Sequence, residues 1–180
     1  VLETFGPSGA HPDGVLEDPP VGVEVGRVRV STTVHSYVRQ RYHAEGVLDE
    51  RALDLPRLSY VTQALWFGVG GAGRRSAPAE LTRAIPSLEP TLIGLLPAFV
   101  LCERADVGGV SYPLYPAAGE PRVFIYDGTP GGVGYARAGA AVFVTWLRAA
   151  RDLLKGCACR SGCPRCVLSP KCGNGNQMLD

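Results

Sequence analysis

Alternating and continuous apolar positions predict strands in three parts of the chain. Residues 21–38, VGVEVGRVRVSTTVHSYV, alternate apolar and polar side chains around β-branched valines, the pattern of one or two half-buried strands. Residues 59–69, SYVTQALWFGV, are apolar and aromatic enough for a buried strand or the start of a helix. Residues 122–127, RVFIYD, form a compact third strand, and residues 39–56 between the first two look like a polar excursion.

Helical periodicity is clearest in the second half of the chain. Between residues 135 and 155 apolar side chains recur at steps of three and four, which predicts one amphipathic helix. Lys155 in the last turn and Gly156 after it match the favoured helix stop. Residues 79–104 are also mostly helix-forming, but three prolines remove amide donors and predict kinked or broken helices there: Pro86, Pro90 and Pro97.

These elements predict an α+β fold, in which helices from 79–104 and 136–155 pack on a small, mostly antiparallel sheet. The sheet is expected to come from residues 21–38 and 122–127. Residues 1–21 are rich in Gly, Pro and Asp and are predicted as a flexible lead-in. We expect residues 22–156 to form the α+β domain and residues 157–180 a zinc-binding cysteine module integral to that domain. A chain of 180 residues suits one such unit.

Composition sets limits on the environment of the protein. A formal net charge of +1 supplies no long-range field, so any nucleic-acid binding must come from a local patch. No apolar run is long enough to span a membrane, and the first residues lack a secretory signal. We therefore expect a soluble, cytoplasmic, monomeric protein with no membrane partner. The abrupt ends at Val1 and Asp180 suggest a fragment of a longer chain.

Five of the six cysteines lie within sixteen residues, with the spacing C-x-C-x3-C-x2-C-x5-C, whereas Cys102 is alone in an apolar run. This clustering favours a metal over disulfides. Zinc takes four ligands at tetrahedral corners, and four thiolates leave no position for a reacting water, so the site is expected to be structural. An iron-sulfur cluster and a tail of free or disulfide-bonded cysteines are the alternatives. The most compact set is Cys157, Cys159, Cys163 and Cys166, with Cys172 as the alternative ligand.

Basic residues surround the cysteines. Between residues 148 and 171 there are six basic residues and one acid, Asp152. This excess of positive charge favours binding of an anion such as a phosphate backbone. A solvated helix face is the alternative explanation. The candidate nucleic-acid-binding residues are Arg148, Arg151, Lys155, Arg160, Arg165 and Lys171.

Two other motifs resemble catalytic or ligand-binding sequences only in part. The glycine turn at 128–134 lies between a strand and a helix, but it lacks the Gly-Lys-Ser/Thr ending of an ATPase loop, so we favour a tight turn over a phosphate site. His43 and Glu45 with a Cys-x-x-Cys pair are similar to the signature of zinc nucleobase deaminases, although Pro164 lies inside the pair instead of before it. No other arrangement suggests catalysis, and we expect no catalytic residue.

Four segments in order resemble one family: ALWFGVGGA at 64–72, LIGLLPAFVLCERADVGGVS at 92–111, VFIYDGTPGGVGYA at 123–136 and CACRSGCPRCVLSPKCGNGNQMLD at 157–180. They are similar to the C-terminal tetracysteine domain, formerly a domain of unknown function, of mitomycin repair factor A-like DNA helicases. These are superfamily 2 motors of the DEAD/DEAH-box type. The resemblance covers most of the chain, from about residue 26 onward. At two positions where the family would have histidines, this sequence has Pro86 and Pro90.

The resemblance implies a parent that hydrolyses ATP with Mg²⁺, translocates 3′ to 5′ on single-stranded DNA, unwinds duplexes and acts in DNA repair. ATP and Mg²⁺ would act only in the motor domains, which this chain lacks. The chain would be a non-catalytic, zinc-bearing accessory domain that packs on the motor of the same polypeptide and guides DNA. The residues that match the family's metal ligands are Cys157, Cys159, Cys163 and Cys166. The alternatives are a scaffold or protein-interaction domain with no DNA contact and, less favoured, a deaminase-like enzyme.

Overall fold

A computed structural model describes residues 2–10, 16–17, 20–41, 46–68 and 79–169, and the structure is discussed for these residues only. Their strands are β1 (Leu2–Ala10), β2 (Leu16–Glu17), β3 (Pro20–Val21), β4 (Val23–Thr32), β5 (Ser36–Gln40), β6 (Val47–Ala52), β7 (Leu58–Gly68), β8 (Val107–Tyr115) and β9 (Glu120–Asp127). The helices are α1 (Ala79–Leu95), α2 (Tyr135–Ala141) and α3 (Phe143–Lys155), with short 3-10 turns at Leu96–Ala98 and Arg104–Asp106.

Five strands form one antiparallel sheet in the order β1-β4-β7-β9-β8. The predicted α+β class, with a mostly antiparallel sheet packed by helices, is confirmed. Strand β7 settles the choice left open for residues 59–69 in favour of a strand, because it pairs with β4 on one side and β9 on the other. Two further pairs, β2 with β3 and β5 with β6, form separate two-stranded ribbons.

Alternation along the central strands gives the sheet two apolar faces. Val25, Leu65 and Ile125 lie on the face that packs against α1, α2 and α3. The opposite face contains a second, aromatic cluster around Trp66 and Phe124, whose ring centroids are 5.9 Å apart. Because both faces are apolar, strands β7 and β9 read as nearly continuous hydrophobic runs.

The helices differ from the predicted ones at two places. Helix α1 runs through Pro86 and Pro90, so the predicted break comes only near Pro97, where the 3-10 turn begins. Its buried side chains pack on the sheet, and this packing outweighs the proline penalty of about 3 kcal/mol per residue. The single helix predicted for 135–155 is interrupted at Val142, which separates α2 on the sheet from α3 on α1.

Three regions without predicted strands contain them. Residues 1–21, predicted as a flexible lead-in, include strand β1, which pairs with β4. The polar excursion at 39–56 includes β6, paired with β5. Residues 107–121, for which no strand is predicted, form the edge strand β8 and a turn into β9, and an edge strand tolerates Pro113, which has no amide hydrogen to donate.

Among the described residues, no helix combines the length and apolar character needed to cross a membrane.

Candidate metal centre

The cysteine loop begins where α3 ends. The Gly156 amide donates to the Asp152 carbonyl oxygen at 2.9 Å and closes the last helical turn immediately before Cys157. Further on, Gly162 has a φ of +81°, a conformation that other residues rarely adopt. A Cβ on Gly162 would lie 2.5 Å from Cγ2 of Val167, so a glycine is also needed for space. These local features fold residues 157–168 back on themselves.

A turn that begins at Cys163 orients the pair Cys163 and Cys166. The carbonyl oxygen of Cys163 accepts from the amides of Cys166, Val167 and Leu168 at 3.0, 3.1 and 3.1 Å. The amide of Cys163 points in the opposite sense and donates to the sulfur of Cys166 at 3.3 Å. Amide donors to sulfur stabilise a thiolate, which is the form that binds metal.

Four sulfur atoms converge at this loop. The Sγ–Sγ distances are 3.4 Å for Cys157–Cys159, 3.6 Å for Cys157–Cys163, 3.4 Å for Cys159–Cys166 and 3.5 Å for Cys163–Cys166. All four sulfurs lie within 4.8 Å of one another, and none is in a disulfide. A zinc-sulfur distance of about 2.3 Å gives tetrahedral edges of about 3.8 Å, so this group of sulfurs has the size that a zinc ion requires.

The electrostatics of the four thiols also suit a cation. The pKa of Cys157 is lowered to about 7 by a hydrogen bond with the backbone of Cys159 and by the neighbouring thiols. The pKa of Cys159 is raised, because its thiol hydrogen-bonds to the sulfurs of Cys157 and Cys166. Without a cation, four thiolates at these distances repel one another, whereas a divalent metal makes all four stable.

Thr91 connects the cysteine loop to the core of the domain. Its buried hydroxyl lies 2.8 Å from the Ser87 carbonyl oxygen in α1 and 3.1 Å from the carbonyl oxygen of Cys166, and it donates to both. Cys166 and Val167 are buried and pack with Leu154 at the end of α3. The loop is therefore fixed at Cys166, while Cys159 on its other side is exposed.

Cys172 and Lys171, predicted as an alternative ligand and a basic contact, lie outside the described residues. So do His43 and Glu45 of the deaminase-like pattern.

The predicted basic residues are exposed around this loop. Arg148, Arg151 and Lys155 follow one face of α3, opposite its buried side chains. Arg160 and Arg165 are exposed on the cysteine loop itself. Within the described residues, Arg151 alone of these five has a carboxylate partner, Asp152 at 2.7 Å.

Asp127, a residue that no sequence motif singled out, organises the glycine turn. Its fully buried carboxylate accepts from the amides of Val133, Gly134 and Ala136 at 2.7, 2.6 and 2.8 Å. An anion bound at this turn would need the same amides, so they are not available for a phosphate. The structure thus favours the tight-turn interpretation of residues 128–134. The available signal was an acid placed directly between a buried strand and a glycine-rich turn.

Comparisons with known proteins agree with this site. The family model described as the MrfA Zn-binding domain matches residues 88–167, from the middle of α1 through the four cysteines. The chain is 34% identical over 97 residues to the uncharacterized protein MJ1572.1 of Methanocaldococcus jannaschii, covering 52% of this chain and 87% of that protein. It is also 30% identical over 115 residues to the uncharacterized ATP-dependent helicase YprA of Bacillus subtilis, covering 64% of this chain and 15% of that protein.

Solved structures show the same fold. A crystal structure of the DUF1998 helicase MrfA bound to DNA matches with a TM-score of 0.70 and 23% identity, over 94% of this chain and 22% of that one. Another crystal structure of the DUF1998 helicase MrfA matches with a TM-score of 0.62 and 22% identity, over 93% of this chain and 22% of that one. The chain therefore spans less than a quarter of the length of each helicase that it resembles.

Proposed function

The chain belongs to the MrfA Zn-binding domain family, and from this premise we propose that it is the zinc-bearing accessory domain of an ATP-dependent DNA helicase. The observation that supports this most directly is the convergence of four sulfurs inside the region that the family model matches. The resemblance further suggests a parent that moves 3′ to 5′ on single-stranded DNA and acts in repair. We place the parent in the cytoplasm and the domain, as a monomer, beside the motor of the same polypeptide.

The proposed zinc ligands are Cys157, Cys159, Cys163 and Cys166. Four thiolates would close the coordination sphere, so the metal would hold the loop without reacting. This closed sphere also disfavours the deaminase-like alternative, because such an enzyme needs a metal position for water. The tether from Thr91 to Cys166 supports treating the cysteine module as an integral part of the domain, since zinc binding and core packing then reinforce each other.

The zinc proposal is tested by metal analysis and cobalt substitution. We expect one zinc per chain in protein purified without chelator, and a tetrahedral, all-sulfur spectrum when cobalt replaces zinc. A spectrum with nitrogen or oxygen ligands would refute the four-cysteine assignment. Protein without stoichiometric metal would refute the zinc site as a whole.

The proposed contact with DNA is electrostatic. Arg148, Lys155, Arg160 and Arg165 are exposed near the cysteine loop and have no carboxylate partner among the described residues. Such charges bind phosphates without reading bases, so they would guide a strand more than recognise it. The competing proposal is a scaffold that braces the motor and does not touch DNA, in which these residues form an ordinary solvated surface.

Binding of a labelled single-stranded oligonucleotide at increasing salt separates the two proposals. A DNA guide is expected to bind weakly, and the logarithm of its affinity should fall linearly with the logarithm of salt concentration. Replacing one contacting arginine, as in Arg148→Gln or Arg165→Gln, should reduce that slope by about 0.7 for a single strand. The matched control is Arg57→Gln, an exposed arginine outside the cysteine loop that also has no carboxylate partner among the described residues. A scaffold would show no binding at low salt in any of these proteins.

A further inference from the structure

A cavity of about 310 Å³ lies beside the edge strand β8, and Ser169, after the cysteine loop, also lines it. Its walls come from α1, β7, β8, β9 and the 3-10 turn at Arg104–Asp106, and its exposed rim includes Ala105 and Gly128. This volume is at the lower end of the range for small-molecule sites, about 300 to 1,000 Å³. The cavity is therefore large enough for a small planar ligand.

Glu89 is a largely buried acid on the wall of this cavity. Its carboxylate accepts a hydrogen bond from the Ser111 side chain, and burial raises its pKa to about 7. It forms no ion pair with any described residue, although Arg104 lines the same cavity. Gly109 makes room for it, since a Cβ there would lie 2.8 Å from Cγ of Glu89. An acid kept in this position without a cation is available to accept hydrogen bonds from a ligand.

Two tyrosines reach the cavity from the opposite face of the sheet to Glu89, the face that carries the aromatic cluster. The ring of Tyr126 lies over Gly108, where a Cβ would be only 2.6 Å from the ring. Tyr60 lines the cavity from the neighbouring strand β7. The tyrosines border the cavity on the aromatic face, and the carboxylate of Glu89 borders it on the helix face.

Arg104 adds a positive group to the cavity. It is half-buried, and within the described residues it has no carboxylate partner. Because no carboxylate is paired with it among the described residues, its guanidinium is able to bind an anion, and phosphate is the anion that matches its planar donors best. The cavity thus combines a largely buried hydrogen-bond acceptor with a phosphate-binding donor.

We propose that this cavity binds one guanine nucleotide of a single strand, with Glu89 accepting from the base and Arg104 on a phosphate. Guanine has two adjacent donors, the ring N1–H and the exocyclic amine, which match the two oxygens of a carboxylate. Proteins read an unstacked base by hydrogen bonds of this kind and by stacking. The proposal rests on the DNA-guiding function above and adds one position at which a base is recognised.

Free nucleotides test the cavity without a strand. We would titrate the zinc-loaded protein at pH 8 with GMP, IMP and guanosine and follow binding by two-dimensional NMR. IMP lacks the exocyclic amine, so we expect it to bind about tenfold more weakly than GMP, as for loss of a bidentate base contact. Glu89→Gln should make GMP and IMP equal, whereas Arg104→Gln should make GMP bind no better than guanosine and keep the preference for guanine. Glu50→Gln, which removes the same charge on β6, is the matched control and should change nothing.

The results separate this proposal from the DNA-guiding function. Equal binding of GMP and IMP by the unmodified protein, or a preference that survives Glu89→Gln, would overturn the guanine site even if single-stranded DNA binds. If GMP is preferred and lost in Glu89→Gln but no oligonucleotide binds at low salt, the cavity is a nucleotide site and the DNA-guiding function is wrong. No binding of GMP at all would also overturn the proposal.

Discussion

Replacing Glu89 by glutamine should stabilise the protein, and increasingly so as the pH rises. The carboxyl is mostly buried and has no cationic partner among the described residues, so its charged form is disfavoured in the folded state. Glutamine keeps the size of the side chain and removes the charge. The change therefore tests burial of the charge with little disturbance of packing.

The magnitude follows from the raised pKa of Glu89. Its value goes from an ordinary 4.5 to about 7 in the folded protein. Each tenfold change in proton affinity is worth about 1.4 kcal/mol. The raised pKa therefore corresponds to a loss of roughly 3 kcal/mol of unfolding free energy when Glu89 is ionised. Below pH 4.5 both states hold the proton and there is no penalty. As pH rises from 4.5 towards 7 the unfolded state releases the proton first, so stability falls, and above about pH 7 the loss is complete.

Urea unfolding of zinc-loaded protein at several pH values measures this effect. We expect the difference in unfolding free energy between Glu89→Gln and the unmodified protein to be small near pH 5 and to approach roughly 3 kcal/mol by pH 8. Zinc release at low pH affects both proteins and cancels in the difference. Glu50→Gln, at an exposed position, provides the baseline. A difference that stays constant with pH, or one that favours the glutamate at pH 8, would refute the reasoning.

Three other substitutions test the cysteine loop and the glycine turn. Cys166→Ser should abolish stoichiometric zinc by elemental analysis, while Cys102→Ser, outside the cluster, should leave one zinc per chain. Asp127→Asn should lower the unfolding free energy by roughly 3 kcal/mol in urea, because a side-chain amide in this buried position cannot accept from all three backbone amides; an unchanged midpoint would contradict this. Gly162→Ala should weaken zinc binding in a chelator competition, because its positive φ and contact with Val167 exclude a side chain; retained affinity would show that the loop adapts.

The sequence by itself determined the features that depend on nearby residues. Valine alternation around β4 and the compact apolar run of β9 predict strands, because side-chain period follows directly from backbone geometry, whereas the run of β7 was decided only by its pairing. The spacing of the four cysteines likewise predicted a group of sulfurs, since the ligands lie within ten residues of one another. Periodicity also located α3 and its stop at Gly156. In each case the interactions that decide the structure join residues close together in the sequence.

The tertiary structure alone decided the features that depend on distant partners. Strand β8 is rich in glycine and proline and looks like a loop, but pairing with β9 makes it a strand. Helix α1 continues through Pro86 and Pro90 because the sheet packs against it, and the break at Val142 separates a helix on the sheet from a helix on α1. The raised pKa of Glu89 arises only from its burial in the folded protein. Local sequence sets the preference of each segment, but burial and pairing are free energies between segments, and these exist only once the chain is folded.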